Sequence, residues 1–158
     1  MIVKASKEDA EELTEIALAS KAYWGYSQEQ LESWREDLTV TPEMVENNEI
    51  KFIGTQKEIG AFYILNLDEP DDYCTLEFLF VRPDFIGRGF GRVLLKQAFL
   101  SAKANKKKYM RVLSDPNAES FYAKYGFKVI AQEKSSIPNR FLPIMEKDIS
   151  EVEFNPVL

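Results

Sequence analysis

Between Phe85 and Arg92 the chain alternates glycine with larger residues, in the order FIGRGFGR. Because Gly87, Gly89 and Gly91 lack a Cβ atom, a bound group could approach their backbone N–H groups closely. The apolar run Leu76–Val81 precedes this stretch and an amphipathic pattern follows it, so a strand is predicted to lead into a helix here. The unpaired N–H groups and the dipole at a helix start attract anions.

Two cationic side chains, Arg88 and Arg92, lie in the same stretch, and guanidinium groups bind phosphate oxygens well. The pattern therefore predicts a cradle for a pyrophosphate. It is not a P-loop, because no Lys followed by Ser or Thr comes after the last glycine. It also differs from the GxGxxG pattern of dinucleotide-binding folds. Taken alone, the glycines are equally compatible with a flexible turn that binds nothing.

Apolar periodicity divides the chain into the elements that would position this turn. A strand at residues 2–5 precedes helical patterns that begin at the capping residues Ser6, Ser27 and Thr41. The glycine stretch opens a helix that ends near residue 105, and Asp115 begins a shorter helix that ends at Gly126. The remaining strands are predicted at residues 50–55, 59–67, 75–81, 109–113, 127–132 and 141–147. Such an order predicts an α/β or α+β domain.

The composition limits the class of protein. The 158 residues, 45% hydrophobic and 29% charged, predict one globular domain over residues 1–158. No apolar run approaches the roughly 20 residues of a membrane span, and the N-terminus has no signal-peptide core. Cys74 has no partner for an internal disulfide, which favours the cytoplasm. The net charge of −6 argues against nucleic acid and favours cationic partners such as amines.

The sequence contains no histidine. A Ser-His or Cys-His nucleophile is therefore impossible, as is a metal site with histidine ligands, and no metal is expected. Acid–base chemistry near neutral pH must instead use Glu, Asp, Tyr, Lys, Cys, water or the N-terminal amine.

Two blocks of the sequence together resemble a known family. VRPDFIGRGFGRVLL (Val81–Leu95) resembles motif A of the GNAT N-acetyltransferases, Q/R-x-x-G-x-G/A after a strand. DPNAESFYAKYGF (Asp115–Phe127) resembles their motif B, N-x-x-A-x-x-F-Y-x-x-x-G-F. The order and separation of the blocks also match, so the resemblance covers nearly the whole chain. It implies the GNAT fold, an α/β (α+β) domain with a mixed, mostly antiparallel sheet of six to seven strands and helices on both faces.

The chain departs from the family pattern at two positions. Ile86 stands where motif A often has Gln or Arg, but the backbone N–H groups matter more there, so binding of coenzyme A is expected to survive. Asp115 stands where motif B usually has Asn. An aspartate can still cap the following helix, although an amide contact to the cofactor at this position is in doubt.

The resemblance implies transfer of an acetyl group from acetyl-CoA to a primary amine by direct attack. Tyr122 matches the motif B tyrosine that protonates the CoA thiolate, with a core aromatic as the alternative. Glu77 is the candidate base, acting through water, with an ion pair to Arg111 or a lysine as the alternative. Family correspondence places the cofactor against Leu79, Phe80, Val81, Gly87, Arg88, Gly89, Phe90, Gly91, Arg92, Asn117 and Phe121.

The acceptor pocket of the family is lined by the region after the first helix and by the loop between the last two strands. Tyr23, Trp24 and Tyr26 are predicted either to form an aromatic wall for a cationic amine or to cap the core. Arg140 is predicted either to bind a carboxylate or phosphate of the acceptor or to form a surface ion pair.

The most direct interpretation is an enzyme that acetylates a small amine or an amino-acid-like molecule. The alternatives are a protein acetyltransferase that acts on lysine or an N-terminus, and a CoA-binding regulatory module without turnover; the tyrosine of motif B argues against the latter. A homodimer is a further possibility, because the apolar tail residues Phe154, Val157 and Leu158 could dock on a partner or on the sheet.

Overall fold

The computed structural model describes residues 2–55, 57–150 and 152, and its strands form a seven-stranded sheet in the order β1-β2-β3-β4-β5-β7-β6. The strands are β1 (Ile2–Lys4), β2 (Glu49–Gly54), β3 (Ile59–Asn66), β4 (Tyr73–Val81), β5 (Tyr109–Leu113), β6 (Lys128–Lys134) and β7 (Phe141–Asp148). The helices are α1 (Ala10–Tyr23), α2 (Gln28–Ser33), α3 (Arg35–Leu38), α4 (Pro42–Asn47), α5 (Phe90–Ala104) and α6 (Glu119–Lys124).

The sheet is mixed, as the sequence predicted. The pairs β1–β2, β2–β3, β5–β7 and β6–β7 are antiparallel, whereas β4 and β5 run parallel with Thr75 opposite Arg111. Helices lie on both sides of this sheet. The predicted fold class, with its mostly antiparallel sheet, is therefore confirmed.

The predicted helix starts are also confirmed. The Ser6 backbone donates a hydrogen bond to Asp9 Oδ2 at 2.8 Å, and a 3₁₀ turn leads from there into α1. At the start of α2, Gln30 N donates to Ser27 Oγ at 3.1 Å and Ser27 N donates to Gln30 Oε1 at 3.2 Å. Thr41 caps α4 in the same manner. Each cap satisfies backbone groups that a helix start leaves unpaired.

The second helical pattern differs from the prediction in one respect. The pattern that begins at Ser27 predicted one helix, but the helix breaks at Trp34 into α2 and α3. Trp34 has ψ near zero (φ −97°, ψ −1°), and its N–H contacts the carbonyls of both Gln30 and Leu31. This shared donor is typical of the tight last turn of a helix.

The residues that the structure describes divide into two compact units. The first unit comprises residues up to Leu65 together with Phe78–Gln97. Its core lies between α1 and the sheet, where Leu13, Ile16 and Phe62 are fully buried. The prediction of a single domain stays a prediction.

The second unit comprises Asn66–Glu77 and the residues from Ala98 onward. Ring contacts join Phe99 to Phe127, Phe127 to Tyr122 and Tyr122 to Phe121, with centroids of successive rings 5.3 to 6.0 Å apart. Cys74 is fully buried here and is a free thiol. At its edge lies β6, which is exposed along its whole length and carries a bulge between Val129 and Ala131.

Within residues 2–55, 57–150 and 152, every helix is too short or too polar to cross a lipid bilayer. The tail residues Phe154, Val157 and Leu158, on which the homodimer prediction depended, lie outside the described residues.

We predict that Leu13→Ala destabilises the protein by about 2–5 kcal/mol, because it leaves a cavity in the core of the first unit. Leu113→Ala is the matched control, since that leucine is 47% exposed and its truncation is expected to cost no more than about 0.5 kcal/mol. Urea unfolding followed by circular dichroism measures both. Equal midpoints for the two variants would contradict the assigned core.

Candidate active site

The glycine turn adopts the kind of backbone conformation that its glycines favour. Gly87 (φ +89°) and Gly89 (φ +81°) are left-handed, and α5 begins directly afterwards at Phe90. A Cβ atom at either glycine would meet nothing within 4 Å, so glycine is required here by the backbone conformation and not by lack of space. Arg88 and Arg92 are exposed beside this helix start. The turn therefore presents open backbone and two cations, which suits a phosphate group.

An aromatic stack supports the turn from below. The rings of Phe85 and Phe90 are stacked with centroids 5.6 Å apart, and the guanidinium of Arg88 lies 4.7 Å from the Phe85 ring centroid. Gly60 of β3 underlies this pair, because a Cβ atom there would come within 2.9 Å of Phe90 Cε2 and 3.3 Å of Phe85 Cγ. The turn thus packs on a strand position that has no room for a side chain.

A second anchor holds the segment that leads into the turn. Arg82 Nε donates to the Ile59 carbonyl at 2.9 Å, and Arg82 Nη2 lies 3.2 Å from Glu12 Oε2. The same Glu12 oxygen accepts a hydrogen bond from Ile59 N at 2.6 Å. Glu12 of α1, Ile59 of β3 and the end of β4 are therefore fixed to one another within the first unit.

The end of β4 carries the backbone predicted to contact pantetheine. The parallel ladder between β4 and β5 ends at Leu76 and Val112, whereas β4 continues to Val81. The Val81 carbonyl accepts a hydrogen bond from Ser20 Oγ at 2.6 Å, which fixes the last residue of the strand to α1. The Phe80 ring packs against other phenylalanines of the first core.

Tyr122 lies on α6 and is 5% exposed. Its ring contacts Phe121 and Phe127 edge-on, at centroid distances of 5.3 Å each. Among the residues that the structure describes, no group forms a hydrogen bond with its hydroxyl. Burial raises the pKa of this phenol well above its ordinary value, so it keeps its proton at neutral pH. Tyr122 is thus a core aromatic that also carries an available proton donor.

Glu77 is more exposed than a carboxylate within an apolar strand was expected to be. Neighbouring protein nevertheless removes part of its hydration and raises its pKa. A hydrogen bond to the Asn66 side chain opposes this rise, and the negative charge of Glu69 adds to it. Arg111, the alternative partner, instead pairs with Glu146 at 2.8 Å. A carboxyl with a raised pKa is a better proton acceptor than an ordinary one.

Asp115 and Arg140 form an ion pair in the second unit, with Arg140 Nη2 3.4 Å from Asp115 Oδ2. Arg140 Nη1 also donates to Ser135 Oγ at 3.2 Å. Asp115 caps the following 3₁₀ turn, because its Oδ1 accepts hydrogen bonds from Asn117 N at 2.8 Å and from Asn117 Nδ2 at 3.0 Å. The expectation that aspartate still caps this helix is confirmed.

The three aromatic residues after α1 do not form one group. Tyr23 and Trp24 are 55% and 47% exposed and contact each other edge-on at 5.4 Å, so they do not cap the core. Tyr26 instead packs against Trp34 at 4.8 Å, and the Lys21 ammonium lies within 6 Å of both rings. The chain's own ammonium group thus lies against this aromatic pair as a cation–π contact.

A glycine turn at a helix start, preceded by a strand whose ladder stops early, characterises proteins that bind a phosphorylated cofactor along a strand. A model of the acetyltransferase (GNAT) domain matches residues 22–148. The chain belongs to the GNAT acetyltransferase family and is an acetyltransferase. A comparison with curated proteins gave no match.

Solved structures share the fold. PaiA N-acetyltransferase from Thermoplasma acidophilum, in complex with coenzyme A, has a TM-score of 0.78 at 24% identity, covering 94% of this chain and 98% of that one. A GCN5-related N-acetyltransferase from Rhodopseudomonas palustris has a TM-score of 0.78 at 25% identity, covering 94% of each chain. The ribosomal-protein-S18-alanine N-acetyltransferase from Escherichia coli has a TM-score of 0.69 at 20% identity, covering 98% and 97%.

Two supports of the glycine turn were missed by sequence reasoning. Gly60 carried a signal, because a glycine inside an apolar strand pattern often marks close approach of another group. The contact between Glu12 and Arg82 carried none, since the two residues lie far apart in the sequence and neither belongs to a motif.

We predict that Gly60→Ala destabilises the protein by about 1–3 kcal/mol, because the new methyl group overlaps a ring that Phe85 holds in place. The cost is expected to fall in a Phe90→Leu background, where the obstructing ring atom is absent. Thermal unfolding of the two single variants and the double variant measures this coupling. An equal cost in both backgrounds would show that Gly60 does not support the turn.

Proposed function

We propose that this acetyltransferase moves the acetyl group of acetyl-CoA to the primary amine of a small or amino-acid-like molecule, by direct attack on the thioester. The observation that carries the catalytic part is Tyr122, a buried phenol without a hydrogen-bond partner among the described residues. Among the described residues no fully buried side-chain oxygen lacks a hydrogen-bond partner, so this hydroxyl oxygen is at least slightly accessible although the ring is buried. A departing thiolate would supply that partner.

The first unit is proposed to hold the cofactor. The N–H groups of the turn and the two arginines would bind the pyrophosphate, and the backbone at the end of β4 would pair with pantetheine as an added strand does. The residues assigned to the cofactor remain Leu79, Phe80, Val81, Gly87, Arg88, Gly89, Phe90, Gly91, Arg92, Asn117 and Phe121. Phe90 and Phe80 are assigned through their backbones, since both rings pack within the protein.

In the reaction, the neutral amine attacks the thioester carbonyl, a C–N bond forms and the C–S bond breaks. Glu77, acting through water, is proposed to take the proton that the ammonium must lose before it can attack. Tyr122 is proposed to give its proton to the sulfur, and the second proton, which the nitrogen loses as the amide forms, then returns through water to the phenolate. The absence of histidine is consistent with this division, because a carboxylate and a phenol are among the few acid–base groups left to the chain.

The proposed acceptor is a small molecule that carries a primary amine. The exposed rings of Tyr23 and Trp24 favour a cationic acceptor. The assignment of Tyr26 to the acceptor stays a prediction, since its ring packs against Trp34. The assignment of Arg140 to an acceptor carboxylate stays a prediction, since its guanidinium contacts Asp115 and Ser135. A protein acceptor is the second candidate. The likeness to the ribosomal-protein-alanine enzyme reaches only 20% identity and so concerns the fold alone. The cytoplasmic location and the homodimer also stay predictions.

Turnover by the intact chain tests the proposal. Acetyl-CoA is offered with primary amines, amino acids and short peptides, and released CoA is detected through its thiol. We predict turnover with a small amine or amino acid, and a loss in kcat of about 10²-fold for Tyr122→Phe, because the thiolate loses its proton donor. Tyr125→Phe changes the tyrosine that directly follows α6; it is the control and should keep the wild-type kcat. Acceptance of peptides alone would establish the second candidate, and a fully active Tyr122→Phe enzyme would remove Tyr122 from the mechanism.

The raised pKa of Glu77 sets the expected pH dependence. A base works only when deprotonated, so kcat/KM should fall as the pH drops through this pKa, at a higher pH than an ordinary carboxyl near about 4.3 would give. Glu77→Gln should lower kcat/KM and remove this acidic limb. Glu133→Gln, on the exposed strand β6, should leave the profile unchanged. Persistence of the limb in Glu77→Gln would assign it to another group.

A further inference from the structure

One ion pair joins two segments of the second unit to which sequence analysis gave separate roles. Arg140 belongs to the loop between β6 and β7, and Asp115 begins motif B. The side chains of Arg140 and Asp115 are only 17% and 10% exposed. Solvent therefore screens this pair much less than it screens a pair on the open surface.

Asp115 uses its two oxygens for different purposes. Its Oδ1 accepts both hydrogen bonds from Asn117 and so caps the 3₁₀ turn, while its Oδ2 faces Arg140. Asparagine, the usual residue of the family at this position, has only one carbonyl oxygen. It could cap the turn but could not offer a charged second oxygen to a guanidinium. Aspartate at residue 115 thus supplies both the capping oxygen and the charged oxygen that faces Arg140.

The loop that carries Arg140 is closed on itself. Ser135 N donates to the Arg140 carbonyl at 2.9 Å, and Arg140 N donates to the Ile137 carbonyl at 3.2 Å. Asn139 adopts a left-handed conformation (φ +63°), which asparagine tolerates better than most residues. Ion pairing of Arg140 therefore fixes the loop as a unit.

The other end of the pair leads directly to the proposed proton donor. Ala118 N donates to the Asp115 carbonyl at 2.9 Å, and α6, which carries Tyr122, begins at the following residue. We propose that Asp115 and Arg140 are positioning residues that tie the loop between β6 and β7 to the start of the Tyr122 helix and so fix the Tyr122 hydroxyl for proton transfer. This inference rests on the proposed role of Tyr122.

The key variants are Asp115→Asn, which keeps the capping oxygen and removes the charge, and Arg140→Gln, which removes the guanidinium. Each is expected to lower kcat by about fivefold or more, since small displacements of a catalytic group are costly. The double variant should be no slower than the slower single variant, because both changes break one pair. The KM and calorimetric Kd for acetyl-CoA should be unchanged, which also shows that the variants are folded. Glu146→Gln breaks a different ion pair of the second unit, with Arg111, and is the matched control with wild-type kcat.

A Tyr122→Phe background separates positioning from a general structural effect. There, Asp115→Asn should cost nothing further, because the group that it positions is gone. A further loss of several-fold would overturn the inference, as would full activity of Asp115→Asn in the wild-type background. It would equally be overturned if Arg140→Gln raised the acceptor KM while Asp115→Asn did not, since Arg140 would then contact the acceptor directly.

The same variants distinguish the inference from the function on which it rests. A Tyr122→Phe enzyme as fast as wild type would refute the proposed proton donor and the inference with it. A slow Tyr122→Phe enzyme together with a fully active Asp115→Asn enzyme would refute the inference alone.

Discussion

The left-handed backbone at Gly87 and Gly89 is the constraint on which the rest of the first unit depends. Two such residues so close together turn the chain sharply from the end of β4 into α5 and leave the backbone at the helix start uncovered. The surroundings keep this turn in place. Aromatic rings beneath the turn pack against a glycine of the neighbouring strand, and Arg82 fixes the segment that leads into the turn. The flexible residues are therefore held by rigid neighbours, as a preorganised anion site requires.

Burial acts on two groups of the second unit in the same direction but with different chemical consequences. It raises the pKa of Tyr122, which keeps the phenol protonated and able to donate. It also raises the pKa of Glu77, which makes the carboxylate a stronger proton acceptor. One physical effect thus suits Tyr122 to its proposed role as acid and Glu77 to its proposed role as base, in a chain without histidine.

Local signals carried most of the prediction of the fold. Caps such as Ser27 with Gln30 and the glycines before α5 act over a few residues, so the sequence displays them directly. Contacts between distant segments were not predictable. The ion pair of Asp115 with Arg140 depends on how β6, β7 and the 3₁₀ turn come together, and the exposure of Glu77 depends on packing. The conformation of the glycine turn was therefore predicted from its motif, whereas the groups that support the turn required the structure, and the roles of the site residues stay predictions.

The exposed edge strand β6 has a consequence for the behaviour of the protein at high concentration. An unpaired strand edge is a template on which another chain can add its own strand. Here the bulge between Val129 and Ala131 interrupts the regular spacing of donors and acceptors, and Lys128 and Lys134 place charge at both ends. A second strand would not find regularly spaced backbone partners along β6 and would face a lysine at each end. We therefore expect this edge to resist aggregation, although Ile130 is 51% exposed.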